Sequence, residues 1–426
     1  MSNEASRRSR HVQGSVVLLM LVALVTLVGI VGLAVDASHL GYVKSRLQST
    51  ADAMSLAAAR RLDETGSTLA ACEMAREVML ANAAGFTELS DELPAGISCP
   101  QNTWFQLQFS ATPSPFIPGS TPARYVRIRL ADVSSNVSFA RVLGIANLSA
   151  GASAIAGPSA PLARLCSLLP IAVCGTPATP NHGFQVGRVY VLKGKDNTKD
   201  ASSFGDFHFL RPDASQDSED GLRRNFAGGF GSCVLINNQG PTPPTIRIKP
   251  GSNIGPVAQG VNTRFNVHVP AGQLDPARYP PDVLIGEPNP ALKVDKDGNV
   301  TQGSNIISLG SQITGRNRSD YLTRMAQGSG SYDIPPLPSP GGGALLRREV
   351  AVPIADCSPP INENALPIIG AGCFFLLQKM ASGAKDSTLL GEFLPDCEAA
   401  GRPGPNPGTG GPYVIQLFRD SSSRDS

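Results

Sequence analysis

No two cysteines of this 426-residue chain are spaced as C-x-x-C, and no Gly-x-Ser-x-Gly elbow, Gly-Lys-Ser/Thr phosphate loop, His-Glu-x-x-His or dinucleotide fingerprint occurs. Zinc ribbons, thioredoxin-like redox sites and the common hydrolase and nucleotide-binding sites therefore lack their usual marks. Charge is also sparse, at 16% of residues, and the net value of +2 is supplied by Arg7, Arg8 and Arg10 at the start. No basic face for nucleic acid remains. Aromatic residues make up 6% of the chain, whereas there are 44 glycines and 36 prolines, a balance that suits a loop-rich extracytoplasmic protein better than a helical cytosolic enzyme.

The few chemical candidates have plainer readings. The histidines (His11, His39, His182, His208 and His268) show no ligand spacing, and His208, beside Asp206, reads as a strand histidine. "VDKDGNV" (Asp295, Asp297, Gly298, Asn299) offers hard oxygen ligands, but Ile306 stands where an EF-hand loop needs its closing Glu, so an Asp-Gly hairpin turn is the better account. "GGFGSC" reads as a turn. No catalytic residue, cofactor, metal or small-molecule substrate is expected.

What the chain does have is a long hydrophobic run. Ser15 to Val35 are 21 residues without a charge, and a helix of that length spans about 30 Å, the thickness of a bilayer's hydrocarbon core. The arginines before it and Asp36 after it predict residues 1–14 as a cytoplasmic tail, 15–35 as a membrane-spanning helix and the rest outside. The run exceeds the roughly 7–15 apolar residues of a cleavable signal, although Val35-Asp36-Ala37 would permit cleavage. Gly14 ahead of the run resembles a prepilin leader site, but Leu19 occupies the position where such substrates carry Glu. Retention as a tether is the expected outcome.

Beyond the run, Leu40, Val43, Leu47, Ala51, Met54 and Ala58 recur every three or four residues, followed by Leu62. That is one helical stripe, so the helix is expected to continue to about Leu62 as a stalk. The stripe serves either as a partner interface or as the cover of the protein's own sheet, and the pattern does not choose between them. "STLAACEMAREVMLANAAGF" predicts a second helix, "WFQLQFSA" and "ARYVRIRLADV" two half-buried strands, "VSFARVLG" a short helical segment and "IANLSAGASAIAG" a strand of small residues. "TPSPFIPGSTP" is a loop.

After the linker "GPSAPLAR", short apolar runs separated by turn residues predict a mainly β region over 157–426: "GRVYVLKG", "SCVLINN", "PTIRIKPG", "RFNVHVP", "REVAVPIADC", "CFFLLQKM" and "PYVIQLFRD". Its longest interruption ends in the Pro/Gly tract before Ala344. The even number of cysteines fits disulfides outside the cytoplasm. Cys72 and Cys99 lie on opposite sides of the connection from the second helix to the first strand and are candidates to pair. Cys166, Cys174, Cys233, Cys357, Cys373 and Cys397 allow fifteen arrangements. Cys166–Cys174, around the short apolar loop "SLLPIAV", is the one specific expectation.

Gly32, Leu33, Ala34, Val35 and Asp36, then Leu47, Gln48, Ala51, Asp52, Ala53, Leu56, Ala57, Ala58 and Ala59, together resemble the N-terminal module of TadE/TadG-like proteins of bacterial tight-adherence (Flp) pilus systems. The likeness extends over about residues 7–156 through Phe139-Ala140-Arg141-Val142-Leu143-Gly144. Gly255-Pro256-Val257, Gln259 to Phe265 and Val350 to Cys357 resemble the longer TadG-like proteins. The metal site of the von Willebrand A domain that some of them carry needs D-x-S-x-S, and the run from Asp132 fails at Asn136. The resemblance implies an α+β fold: a membrane helix and stalk packed on a small antiparallel sheet over 36–156, pilin-like in outline, followed by the β region. It implies a non-enzymatic inner-membrane protein, mostly periplasmic, that contacts pilus-assembly or secretion proteins and is a candidate homo-oligomer. The alternative reading is an envelope-anchored adhesion or binding protein that uses the module for delivery.

Overall fold

The structure is a computed structural model and describes residues 5–93, 96–99, 104–136, 139–145, 147–193, 207–211, 218–229, 231–236, 243–249, 254–269, 273–327, 343–358, 365–381, 387–404 and 411–420. Most of the Pro/Gly tract before Ala344, and Asp206, lie outside them. The chain divides into two units: residues 1–63, 67–157 and 417–426, and residues 64–66 with 158–416.

In the first unit, α1 (Ala5–Thr65) is a single helix of 61 residues. No proline interrupts it, and its two halves are stabilised differently. From Val16 to Val35 nearly every side chain is exposed, whereas from Val43 onward one stripe is buried. Lys44 donates to the Gly151 carbonyl (2.6 Å) and Gln48 to the Ser153 carbonyl (3.0 Å). α2 (Thr68–Ala83) starts at Ser67, whose hydroxyl accepts the Ala70 N–H, a side-chain cap for an otherwise orphaned donor. The chain then returns along α1, where Arg46 donates to the Gly85 carbonyl and lies over the Phe86 ring. α3 (Thr87–Glu92) follows. A disulfide from Cys72 to Cys99 ties α2 to the segment leading into the sheet.

β1 (Phe105–Ser110), β2 (Tyr125–Asn136) and β3 (Asn147–Pro158) form an antiparallel meander with Ile128 opposite both Leu107 and Ala154. The sheet order is β1–β2–β3 and then the strand Ile415–Phe418. Small residues on β3 leave Ala152, Ala154 and Ala156 buried beside Val126, Ile128 and Leu130. The terminal strand corrects the sequence reading, which left "PYVIQLFRD" in the β region. Asp420, fully buried, accepts from the Ser153 hydroxyl (3.0 Å) and lies 3.5 Å from Arg127 Nε. A distant carboxylate thereby answers a buried guanidinium, a pairing with no local signature.

In the second unit, β4 (Leu162–Leu165), β5 (Ile171–Cys174), β6 (Val189–Lys193) and β7 (Phe207–Phe209) precede α4 (Glu219–Gly228), β8 (Val234–Leu235), β9 (Thr245–Ile246) and α5 (Ile254–Asn262). β10 (Leu292–Val294), β11 (Val300–Gln302) and β12 (Asn305–Ile306) form a small meander ahead of α6 (Arg318–Gln327). β13 (Glu349–Ala355), β14 (Leu366–Leu376) and β15 (Leu389–Leu394) supply the centre, and β16 (Asp396–Glu398), β17 (Gly401–Pro403) and β18 (Gly411–Tyr413) follow. The main sheet runs β6–β15–β14–β13–β5–β7, with β9 also on β14, and only its β13–β5 pair is parallel.

Both faces of this sheet are covered, which is why its strands read as near-continuous apolar runs. Val350, Val352, Ile354, Phe374 and Leu376 join Leu222, Phe226, Val257 and Val261 of α4 and α5. Ala351, Ala355, Phe375 and Leu377 join Tyr321 of α6. Those three helices are additions to the mainly β region that the sequence predicts, and "RFNVHVP" is no strand: Thr263–Phe265 is a turn of 3-10 helix continuing α5. Gly260 belongs to α5 because a Cβ there would overlap the Arg223 carbonyl of α4.

The cysteine pairing also corrects the sequence reading. Cys166 bonds Cys233 and Cys174 bonds Cys357, while Cys373 bonds Cys397. The sheet register explains it. Antiparallel pairing of Leu165 with Val234 sets Cys166 beside Cys233, and parallel pairing of Cys174 with Ala355 brings Cys357 to the end of β5. Adjacency in sequence was the wrong guide, because β4 and β5 lie in different sheets.

Candidate functional site: the junction of the apolar run with the β2–β3 connection

Where the apolar run of α1 ends, the helix meets the β2–β3 connection. Gly32 and Asp36 are its buried positions between Val16 and Ser38. A Cβ on Gly32 would lie 2.5 Å from the Phe139 ring, so only glycine admits that ring against the helix. One turn later, Asp36 accepts the backbone N–H groups of Phe139 (2.9 Å) and Ala140 (2.6 Å). These are free donors at the start of the 3-10 turn Ala140–Leu143, and a carboxylate suits them in both hydrogen bonding and charge. Gly144, with φ of +83°, ends the turn.

The contacts continue up the helix. His39 sits between the Ser135 hydroxyl (Nδ1, 2.9 Å) and Glu88 (Nε2, 3.0 Å), and Glu92 accepts the Ser134 N–H. Together with Lys44 on Gly151 and Gln48 on Ser153, they orient the β2–β3 connection toward the apolar run and the open end of β3 away from it.

Residues 14–61 match the family model described as "Putative Flp pilus-assembly TadE/G-like". The likeness to that family is therefore found over residues 14–61. Comparison with curated proteins and with solved structures returns no match.

The geometry gives the module's motif a physical meaning. Gly32 and Asp36 hold the Phe139–Gly144 turn. Gln48 donates to Ser153 and also to Asp52 (2.9 Å), which holds its amide in place. Leu47, Ala51, Ala58 and Ala59 are fully buried, and the alanines allow close approach. Of the two readings left open for Leu40, Val43, Leu47, Ala51, Met54 and Ala58, partner interface or cover of the protein's own fold, burial favours the second: five are fully buried and Leu40 is half-buried. Leu33, Val35 and Tyr42 on α1 and Leu69 and Leu80 on α2 are exposed. Sequence reasoning missed Phe139 as the contact of Gly32, although both stand in the motif phrases.

Several ionisable side chains of the second unit are buried among the described residues and held by hydrogen bonds. Asp282 is buried and accepts from Tyr321 (2.9 Å), Arg348 N–H (2.9 Å) and Leu284 N–H (3.1 Å). Burial raises its carboxyl above the usual range against the pull of Arg348, and raises the Tyr321 hydroxyl as well. Arg348 donates to the carbonyls of Leu284, Gly286, Leu376 and Leu377 and lies over Phe265 and Phe375; burial lowers it to about 10. Nearby, Arg318 pairs with Glu349 (2.6 Å), and burial pushes Glu392 up to about 6. None of these side chains lines either described groove, one of about 500 Å³ around Arg188 and Tyr190 and one of about 670 Å³ around Glu287, Lys293 and Lys379.

His208 lies with Cys174 and Cys357 in a cluster of ligand-type atoms, but those sulfurs are bonded to each other and offer no thiolate. Asp295 accepts the N–H groups of Asp297 and Asn299 and the Asn299 amide, a turn held by its own carboxylate between β10 and β11.

Proposed function

We propose that the chain is a single-pass membrane protein acting without catalysis in the assembly or anchoring of a bacterial Flp/Tad-type pilus, through contacts with other assembly or secretion proteins. The observation that carries this reading is the TadE/G-like match over residues 14–61, which coincides with the helix long and apolar enough to cross a membrane. Arg7, Arg8 and Arg10 before the run favour an inside N-terminus, with the bulk of the chain periplasmic. Four disulfides suit that oxidising side.

On this reading the exposed faces of α1 and α2 take the protein partners, and the second unit supplies reach. Deletion of the gene in its host should abolish piliation and adherence, and crosslinking in membranes should recover pilus-assembly proteins on the first unit. Normal piliation in the deletion strain overturns the proposal. Retention of a surface ligand by the second unit, with no pilus protein recovered, favours the adhesion reading.

A further inference from the structure

The Phe139 ring rests on Gly32, four residues inside Asp36 and therefore about 6 Å below it along the helix. Gly32 belongs to the uncharged run, so a bilayer that holds the run also reaches Phe139. The ring nevertheless remains 44% exposed, and Ile145, at the other end of the same turn, is 41% exposed. Leu33 and Val35, next in sequence to Gly32 and Asp36, are exposed as well. Arg141 between them is exposed as well. The backbone of the turn is held in place from the helix side by Asp36 and closed by Gly144.

Exposed apolar side chains at a depth fixed by the span, with an arginine between them, are the composition of an interfacial lipid contact. We infer that Phe139–Ile145 is a foot set into the outer-facing leaflet beside the membrane helix. Phe139 and Ile145 enter the upper acyl region, and Arg141 reaches the phosphodiesters of the headgroups. The partner is the phospholipid bilayer itself. The second contact resists tilting of the stalk about the span and fixes how far the first unit stands above the membrane. Asp36 marks that level: its carboxylate is spared water and lipid alike by the two N–H groups it accepts.

This inference rests on the membrane anchorage proposed above, and its test separates the two. The full chain is reconstituted in phospholipid vesicles carrying bromine atoms either near the glycerol backbone or near the chain ends. Three variants each add one tryptophan to the native Trp104: Leu24→Trp in the span, Phe139→Trp and Ile145→Trp in the foot. The added emission of Leu24→Trp should be lost mainly to the deep bromines, and that of the foot variants mainly to the shallow ones. Ile145→Trp, at an exposed position, guards against misfolding where Phe139→Trp crowds Gly32. Loss in either foot variant to shallow bromines carries the inference. If Leu24→Trp is quenched while both foot variants keep their emission in both vesicle types, the foot is overturned and the anchor stands. If none of the three is quenched, anchor and foot fall together.

Discussion

Asp36 and Ala140, 104 positions apart in sequence, are joined by a 2.6 Å hydrogen bond from the Ala140 N–H to the Asp36 carboxylate. The same carboxylate accepts the Phe139 N–H, so one side chain at the end of the apolar run locks the turn between β2 and β3. The aspartate closing the motif Gly-Leu-Ala-Val-Asp is thus explained by a distant partner and needs no role as a membrane-boundary charge alone.

Asp36→Ala leaves one buried donor, Ala140 N–H, and one part-buried donor, Phe139 N–H, without this partner, and loss of the buried one costs about 1–3 kcal/mol. The expected outcome is a first unit that retains its core but opens at the β2–β3 connection. Amide exchange at Phe139 and Ala140, measured by mass spectrometry on the full chain in detergent, should accelerate sharply. Exchange in β1 should change much less. Unchanged protection at Phe139 and Ala140 would contradict the capping role.

The stalk stripe makes a contrasting prediction. Leu47→Ala and Met54→Ala remove fully buried side chains and should each destabilise the first unit by roughly 2–5 kcal/mol. Tyr42→Ala, at a half-exposed position, should stay within about 0.5 kcal/mol. Had the stripe been a free partner interface, the order would be reversed: purified protein would tolerate the Leu47 and Met54 changes, and only complex formation would suffer. Urea unfolding of the isolated full chain distinguishes the two.

The long helix and the meander were legible in sequence because their signals are local. Val43, Leu47, Ala51, Met54 and Ala58 declare one helical face, and Arg127 and Arg129 alternate with Val126, Ile128 and Leu130. What escaped was non-local. Pro256 and Gly260 disguise α5 as a turn, and the reason for Gly260 is the Arg223 carbonyl of another helix. The partner of Cys174 is set by a parallel strand pairing across 183 residues, which no spacing reveals. At the candidate site, the motif residues could be named from sequence, but which face of the stalk was free could not, since burial of the stripe depends on segments distant in sequence.

The disulfides differ in the length of chain they close. Cys373–Cys397 spans 24 residues and Cys174–Cys357 spans 183. On chain-entropy grounds their loss costs about 3 and about 5 kcal/mol, the longer loop the more, although the other crosslinks shorten the effective loop. The double variant Cys174→Ala/Cys357→Ala should therefore lower the urea midpoint of the second unit more than Cys373→Ala/Cys397→Ala. Equal losses would show that native packing around the sulfurs outweighs loop entropy.

Asp420 is fully buried and answers Arg127, whose guanidinium lies over Phe116. Burial lowers the arginine's pKa, with Asp420 opposing that shift. Removing one member of a buried pair leaves the other uncompensated, at a cost of about 3–5 kcal/mol. Asp420→Ala should thus destabilise the first unit, to which it belongs despite its distance in sequence from Arg127. Exchange protection in β2 and β3 is the readout, and a loss confined to the terminal strand would show that the pair contributes little.

Glu392 gives the pH dependence. Burial raises its pKa from the ordinary 4.5 to about 6, with Arg318 only partly opposing. Between those values the folded protein holds a proton that the unfolded chain has released, so stability falls as pH rises through the window. The shift bounds the fall at about 2 kcal/mol, and partial exposure of the group reduces it. One of its oxygens, Oε2, is buried without a hydrogen-bond partner among the described residues, which is why the charged form is disfavoured. Glu392→Gln cannot release a proton and should remove this component. Urea midpoints from pH 4.5 to 7 should converge for wild type and variant at the acid end and separate toward neutrality, with the variant the more stable. Asp282 is also raised by burial but is present in both proteins, so the difference between the two curves isolates Glu392. Curves that stay parallel throughout would mean that Glu392 is ionised in the folded state across the whole range.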